Sequence, residues 1–487
     1  MIKLAFILIL LNTGILHGIN MEGFYEGQFG KSYESDIFKW NMWDPNFYLE
    51  TRFFGSPAYD SDYYIKFYTY KDYQSQRPVA VFSEGHIGFR QENNGSGFHG
   101  TLFSRESQHY WLDGSMLGVV NTVSVNNDSN GQGARFDFWH SWGGSMTYVF
   151  SDFSQDGGDD IHLFRFRQSL FSNNLNTGIS LQQKNYPSGE HQDYNRVVAC
   201  DLRAHFGRYY LSTEIAKTEV PGDSLVNQLN NRYSDDEIFK SNIAIKSELR
   251  GFRIGSPKTG HWFLIPGIFS YGNTYRNYMG DNQSNRQGYW INSYYLVPNH
   301  AITFMLNHSQ SKKIVADTIT VFLDSLQSKE IFDPVSNTYA GVYIEFINGF
   351  KGKIAFNKKD EKWQGSDYRH YDFFSELSVE NRLAKLLGQY KIKDLGEIWE
   401  KHIIGMELSI NLSDRWRFFT RGIIADDQIG SRYSVFTELQ YRTGGNTELY
   451  LQYGPSYWGQ YGLVNDDGFA SSGSMRKEVK LILKGWF

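Results

Sequence analysis

The chain has 487 residues, of which 17% are aromatic, and a formal net charge of -5 at pH 7. The small net charge and the absence of a Lys/Arg-rich block argue against nucleic acid as the main partner. A mean hydropathy of -0.48 excludes a conventional polytopic helical membrane protein. A high content of aromatic residues together with a polar mean hydropathy is typical of a transmembrane β-barrel. Such a barrel has an apolar outer surface, a polar lumen and aromatic side chains at both lipid interfaces.

The first residues, MIKLAFILILLNTGILHGIN, have the layout of an export signal. Lys3 supplies the positive charge, residues 4–11 the apolar run, and Gly18 a small residue at a cleavage position. This pattern predicts a Sec-type signal peptide over residues 1–18 and places the rest of the chain outside the cytoplasm. The single cysteine, Cys200, excludes an intramolecular disulfide and is interpreted as a packed or lipid-facing small hydrophobe.

The predicted mature chain has two parts. Residues 19–45 show no sustained period and predict a loose N-terminal arm, whereas residues 46–487 read as a succession of short strands with period two. In one of these strands Phe164 and Phe166 alternate with Arg165 and Arg167. An Arg that faces lipid near the bilayer midplane costs about 2–4 kcal/mol. We therefore expect the two Phe to face lipid and the two Arg to face a lumen.

Two later segments extend this pattern. In residues 195–206, Asp201, Arg203 and His205 share one face, and in the segment RWRFFTRGIIA Arg417 and Arg421 do so. These residues complete the predicted set of lumen-facing side chains: Arg165, Arg167, Asp201, Arg203, His205, Arg417 and Arg421.

Two regions interrupt the strand pattern. Residues 309–338 predict a long connection with a short helix in ADTITVFLDSLQSK, and residues 374–400 fit a helical period with Leu383, Leu386, Leu387 and Tyr390 on one side. The fold predicted from the whole chain is all-β, a single large antiparallel transmembrane β-barrel of roughly 16–22 strands with minor helix in the loops.

The final segment, EVKLILKGWF, places Val479, Leu481, Leu483 and Phe487 on one face. It resembles the closing strand of bacterial outer-membrane β-barrels, whose assembly machinery reads the terminal aromatic residue. The resemblance implies that these four residues form an assembly signal. An ordinary half-buried terminal strand is the alternative for this segment alone.

The stretch NRVVACDLRAHFGRYYLSTEIAKTE, with LFRFRQSLFSNNLNTGISLQQKNY before it, carries a second resemblance. It is similar to the barrel region of a family of uncharacterised bacterial outer-membrane proteins, in which the barrel often follows a carbohydrate-binding β-sandwich. The resemblance spans residues 130–220 and implies no catalytic residues. This chain departs from the family in having no full-sized sandwich ahead of the barrel.

Residue patterns for chemistry are sparse. The sequence has no G-x-S-x-G motif and no paired histidines at metal spacing, so it predicts no enzyme, cofactor or metal. His205, His300, His308 and His402 occupy ordinary strand positions, and the acidic run at residues 151–160 is interpreted as a solvated turn. Two interpretations of the lumen arginines stay open. They bias the lumen towards anions, or they pair with Asp137, Asp201, Glu407 and Glu438.

The sequence therefore predicts a bacterial outer-membrane barrel that acts as a pore or transporter or has a structural role in the envelope. Its expected partners are outer-membrane lipid, the barrel assembly machinery, and small solutes or glycans. The two alternatives are an outer-membrane hydrolase with a site at the rim, and a secreted soluble β-protein that binds polysaccharide through aromatics in one groove.

Overall fold

The computed structural model describes most of the chain. The described residues are 20–33, 44–58, 60–71, 78–106, 109, 116–118, 131–152, 160–185, 194–220, 242–256, 258–272, 275–277, 286–298, 301–315, 331–345, 349–363, 366–428, 430–454 and 477–487. They form strands and turns, and no α-helix occurs among them.

The strands follow one another through the whole described chain. The first thirteen are β1 (Asn20–Tyr33), β2 (Asp44–Ala58), β3 (Ser61–Lys71), β4 (Pro78–Asn93), β5 (Ser96–Ser104), β6 (Gln132–Trp139), β7 (Gly144–Asp152), β8 (Asp160–Leu170), β9 (Leu175–Asn185), β10 (Tyr194–Phe206), β11 (Tyr209–Glu219), β12 (Ile243–Arg250) and β13 (Phe252–Ser256). The others are β14 (Gly260–Tyr271), β15 (Arg286–Leu296), β16 (Ala301–Val315), β17 (Ile331–Glu345), β18 (Phe350–Trp363), β19 (Ser366–Glu380), β20 (Ala384–Lys393), β21 (Lys401–Asn411), β22 (Trp416–Asp427), β23 (Gly430–Gly444), β24 (Thr447–Tyr453) and β25 (Lys477–Trp486).

The sheet is a closed antiparallel barrel of 24 strands. β12 and β13 both pair with β14 and together form one barrel strand, interrupted at Gly251. Gly251 has a φ of 100° and lies against the Arg208 carbonyl, where a Cβ would overlap the backbone. The barrel closes where β25 pairs with β1, so the sheet has no free edge. The predicted antiparallel β-barrel is confirmed, with more strands than the 16–22 expected.

Strands also form in two regions where the sequence predicted other structures. The predicted loose arm is wrong for Asn20–Tyr33, which form β1 between β2 and β25, so the barrel begins before residue 46. The predicted helix at 374–400 is also wrong. β19 and β20 form a hairpin there, with Leu386 exposed and Leu387 packed against the cluster of Ile403, Ile423 and Ala425. Pairing with neighbouring strands overrides the helical spacing of the leucines.

The other irregular segments are partly outside the described residues. The predicted connection at 309–338 is shorter than expected, because β16 continues to Val315 and β17 begins at Ile331. The helix predicted in ADTITVFLDSLQSK and the signal peptide at 1–18 both lie outside the described residues, so both stay predictions.

The two ends of the barrel differ in their connections. At one end, here called the short-turn end, consecutive strands are joined by two to four residues, such as Asn94 and Gly95 between β4 and β5. Both of these residues have positive φ, as a two-residue hairpin turn requires. At the opposite long-connection end, residues 105–131, 220–242 and 454–476 join the strands. Phe487 and Gly23 exchange backbone hydrogen bonds of 2.9 and 3.1 Å at the short-turn end.

The two faces of the sheet differ in the side chains that they expose and bury. One face, here called the outer face, exposes large apolar side chains on almost every strand. They include Leu102, Phe138, Ile179, Val198, Ile215, Ile245, Ile268, Ile291, Leu306, Ile354, Leu377, Ile404, Ile424, Val435, Leu451 and Leu481. The opposite, inner face buries apolar side chains such as Val149 and Val197 together with many polar ones, among them Thr101, Arg165, Ser180, Gln182, Ser212, Glu214, Ser434 and Gln440. In a water-soluble protein the buried side chains are mostly apolar and the exposed ones mostly polar.

Candidate functional site

A buried ion pair crosses the inner face of three neighbouring strands. Arg165 of β8 donates from Nη2 to Oδ2 of Asp201 on β10 over 2.7 Å and also donates to the Ser180 hydroxyl on β9. The side chains of Arg165 and Asp201 are 3% and 10% exposed. Gly178 lies between them on β9, and a Cβ there would overlap the Asp201 carboxylate. The glycine therefore provides the space in which the pair forms.

A second buried carboxylate lies next to this pair. Glu214 of β11 is opposite Asp201 in the strand register and 1% exposed. Its Oε2 accepts a 2.7 Å hydrogen bond from the backbone N–H of Leu117, a residue of the connection between β5 and β6. Leu117 is fully buried in an apolar cluster with Val197, Ala199, Ala216, Ala244, Tyr271 and Tyr275. The β5–β6 connection thus reaches across to the inner face of β10 and β11.

A second connection packs on the inner face of the same strands. It is the segment of residues 275–277 between β14 and β15. The Asn277 Oδ1 accepts from Gln182 Nε2 over 3.0 Å, and the Arg276 carbonyl accepts from Asn195 Nδ2 over 3.0 Å. Asn277 also donates to the Gly118 carbonyl over 3.5 Å. We call residues 116–118 and 275–277 the inner cover, because these two segments bond to each other and cover one part of the inner wall.

The predicted lumen-facing residues share the inner-face positions of their strands, but they do not form one site. Arg165 and Asp201 are in contact, whereas Arg421 pairs with Glu407 on another part of the wall over 2.6 Å. Arg417 donates to the Ser409 hydroxyl over 3.0 Å, and the His205 ring lies 4.6 Å from that of Tyr210. Arg167 and Arg203 occupy the same faces of β8 and β10 as Arg165 and Asp201. That these residues line a solute path stays a prediction.

The structure shows which of the lumen arginines are paired with acidic residues and therefore bears on whether they make the lumen selective for anions. Pairing is present for Arg165 with Asp201 and for Arg421 with Glu407. Asp137 is also paired, with Arg135 over 2.7 Å, whereas Glu438 accepts from Gln452 over 2.6 Å. The inner face therefore carries matched charges at these three pairs.

A cluster of side chains that could hold a metal lies elsewhere on the inner wall, where the sequence predicted no metal site. His86 of β4, together with Glu106 and His109 from the first residues of the β5–β6 connection, places one donor atom of each residue within 4.8 Å of the others. Burial alone would raise the pKa of Glu106, but hydrogen bonds from His109 and His86 outweigh it and hold the pKa below its usual range. The E-x-x-H spacing of Glu106 and His109 was the one available signal.

Two further histidines and the cysteine lie at strand positions. His308 contacts the Thr338 hydroxyl at 2.9 Å, and His402 lies between Tyr390 and Glu400 at 2.8 and 2.7 Å. Cys200 is exposed on the outer face. His300 and most of the acidic run at 151–160 lie outside the described residues.

Exposed aromatic side chains occur at both ends of the outer face. At the short-turn end they are Phe89, Phe138, Trp142, Phe206, Trp262, Trp416 and Phe487. At the long-connection end they are Phe150, Tyr289, Trp399, Tyr433 and Tyr453. The role of Phe487, with Leu483, Leu481 and Val479, as an assembly signal stays a prediction.

No helix in the described part of the chain has the length and apolar character needed to cross a membrane. Comparison with protein-family models and with curated proteins gave no match.

Comparison with solved structures gave distant fold neighbours. The siderophore receptor PirA from Acinetobacter baumannii aligns with 96% of this chain and 80% of its own, at 7% identity and a TM-score of 0.48. PirA from Pseudomonas aeruginosa has the same coverage, at 8% identity and a TM-score of 0.47. The copper transporter OprC also has that coverage, at 9% identity and a TM-score of 0.47.

Proposed function

We propose that this protein is a β-barrel of the bacterial outer membrane whose lumen admits small solutes. The observation that carries the proposal is the belt of exposed apolar side chains on the outer face of a closed sheet, whose inner face buries many polar residues. Contiguous apolar patches on soluble monomers rarely exceed a few hundred Å². A belt of exposed Ile, Leu, Val and Phe on almost every strand is stable only when acyl chains cover it.

The aromatic residues support a membrane over a polysaccharide-binding surface. A soluble protein that binds polysaccharide would gather its exposed rings in one groove. Here exposed aromatic residues occupy both ends of the outer face, with Trp and Phe at one end and Tyr, Trp399 and Phe150 at the other. Outer-membrane barrels place aromatic girdles at both lipid interfaces, separated by an apolar band. The short-turn end corresponds to the periplasmic side and the long-connection end to the extracellular side.

The strand number supports a wide lumen. Barrels of about 16–18 strands already leave an aqueous channel, and the diameter increases roughly linearly with the number of strands. The inner cover narrows this lumen along the wall formed by β9–β12 and β14. Each of the arginines Arg165 and Arg421 is neutralised by its own carboxylate partner, Asp201 or Glu407. We therefore expect the lumen to select only weakly between anions and cations.

Planar-bilayer conductance of the purified, folded protein tests the pore. We expect discrete current steps and a reversal potential close to zero in a salt gradient. Asn277→Ala, which removes the hydrogen bonds from Gln182 and to Gly118, should increase the fluctuation of the open current. Gln310→Ala, on the outer face beside Tyr289, is the matched control and should leave the current unchanged.

Two outcomes would contradict the proposal at different levels. Folded protein that gives no current would retain the membrane assignment and leave a structural role in the envelope. This second candidate is favoured specifically by the inner cover. Extraction of the native protein from cells without detergent would instead contradict the membrane assignment itself.

A further inference from the structure

We propose that His86, Glu106 and His109 form a binding site for a divalent first-row transition-metal ion on the inner wall of the barrel. The side chains of the three residues are 18%, 1% and 13% exposed, so the site is sheltered from bulk water but open on one side. Two imidazoles and one carboxylate are a known ligand set for Zn²⁺, with water in the fourth position. The proposal concerns binding alone and does not depend on the pore function.

The donor atoms already converge. His86 Nδ1 lies 2.7 Å from Glu106 Oε2 and 3.0 Å from Oε1, and His109 Nε2 contacts the same Oε2. Ligand bonds of about 2.0–2.1 Å in a tetrahedral site separate neighbouring donors by about 3.3 Å. Shifts of about 1 Å therefore admit an ion between these atoms, and rotation about the side-chain torsions of His109 and Glu106 supplies shifts of that size.

A fourth residue orients the first ligand. The Nε2 of His86 lies 3.1 Å from Oδ2 of Asp62 on β3. When an ion replaces the proton that Nδ1 donates to Glu106, Nε2–H still donates to Asp62. This arrangement of carboxylate, histidine and metal fixes the tautomer and increases the basicity of the ligating nitrogen. Gly88 faces Asp62, and a Cβ there would press against its carboxylate.

Aromatic neighbours hold both imidazole rings in place. The His109 ring stacks on Phe103 with centroids 4.9 Å apart, and the His86 ring stacks on Tyr64 at 5.8 Å. The two imidazoles meet edge to face at 5.2 Å. A rigid surrounding shell is what distinguishes a built site from charged side chains that happen to be near each other.

A metal ion at this location would link the barrel wall to the β5–β6 connection. His86 belongs to the barrel wall, whereas Glu106 and His109 belong to the connection that also contributes Leu117 to the inner cover. A bound ion therefore ties the start of this connection to β4. Imidazole and carboxylate donors suit Zn²⁺, Cu²⁺ and Ni²⁺, and the ligand set alone does not choose among them.

The experiment is a Zn²⁺ titration of the full-length, chelator-treated protein in detergent, in competition with a chromophoric chelator. We expect one Zn²⁺ per chain. Asp62→Asn, which changes only the orienting residue, should weaken binding about 10–100-fold. His109→Gln and the double variant His86→Gln/His109→Gln should weaken it further. The control is His308→Gln, which removes an outer-face histidine in contact with the Thr338 hydroxyl. This variant should bind Zn²⁺ as the wild type does.

Folding is checked for each variant by heat-modifiable mobility on gels. His109 lies outside the strands, so His109→Gln provides a test even when substitution of His86 prevents folding. Cobalt offers an independent readout, because a four-coordinate Co²⁺ site absorbs visible light strongly and the double variant should lose that absorption. Absence of stoichiometric binding by the wild type, or wild-type affinity in the folded double variant, would overturn the proposal.

Discussion

The two faces of β10 lie in opposite environments. On one face Val198, Cys200 and Phe206 are exposed, although two of them are large and apolar. On the other, Val197 and Ala199 are buried under the inner cover and Asp201 is paired with Arg165. Adjacent residues of one strand therefore lie in opposite environments, and a shift of one residue in register would exchange them. The comparison shows that the inner face of β10 is packed like a protein interior, while its outer face exposes apolar side chains, as the proposed membrane location requires.

The largest expected change in the free energy of unfolding comes from a substitution on the inner face. Arg165→Met should reduce the free energy of unfolding by about 3–5 kcal/mol, because it leaves the Asp201 carboxylate buried without its partner and opposite Glu214. Urea titration of protein refolded in lipid vesicles measures this change. The double variant Arg165→Met/Asp201→Leu, which removes both charges, should recover most of the loss. Equal losses in the single and double variants would contradict the ion pair as the cause.

The next effect tests the outer face. Ile215 of β11 is 47% exposed near the middle of its strand. Ile215→Arg should cost about 2–4 kcal/mol in lipid vesicles, since the charge would face the bilayer midplane. Phe206→Arg at the short-turn end is the matched control and should cost only about 0–1 kcal/mol, as expected near an interface. Similar costs at the two depths would argue against a membrane around this face.

The smallest effect concerns the seam at which the barrel closes. Lys484 of β25 lies 3.3 Å from Glu26 of β1, and both side chains are partly exposed. Lys484→Gln should reduce the free energy of unfolding by no more than about 1 kcal/mol, because the ten-residue register between β1 and β25 carries the seam through backbone hydrogen bonds. The same urea titration measures it. A loss comparable to that of Arg165→Met would show that the seam depends on this ion pair.

The sequence predicts the barrel well and its interior poorly. Period-two alternation, as in Phe164 to Arg167, identifies strands because it is a local property. It fails at Asn20–Tyr33, where glycines and polar residues obscure the alternation, and at residues 374–393, where Leu386 and Leu387 mimic a helical face. In both places the neighbouring strands decide the structure.

The candidate sites depend on contacts between distant parts of the chain. The inner cover joins Leu117 to Glu214 and Asn277 to Gln182, pairs separated by 97 and 95 residues. The metal-ligating cluster joins His86 to Glu106 only after β4 and β5 have paired and the following connection has turned towards the inner face. No spacing rule within one segment predicts such pairs, whereas the partners of Arg165 and Arg421 were foreseeable from strand position.

Solvent accessibility of adjacent residues in lipid vesicles tests the central claim most directly. In a Cys200→Ser background, spin labels at Phe356→Cys and Asn357→Cys on β18 report the outer and inner faces at one depth. We predict that the label at 356 collides mainly with oxygen dissolved in lipid, and the label at 357 mainly with a water-soluble nickel complex. Equal exposure of both labels to the nickel complex would contradict a membrane around the outer face.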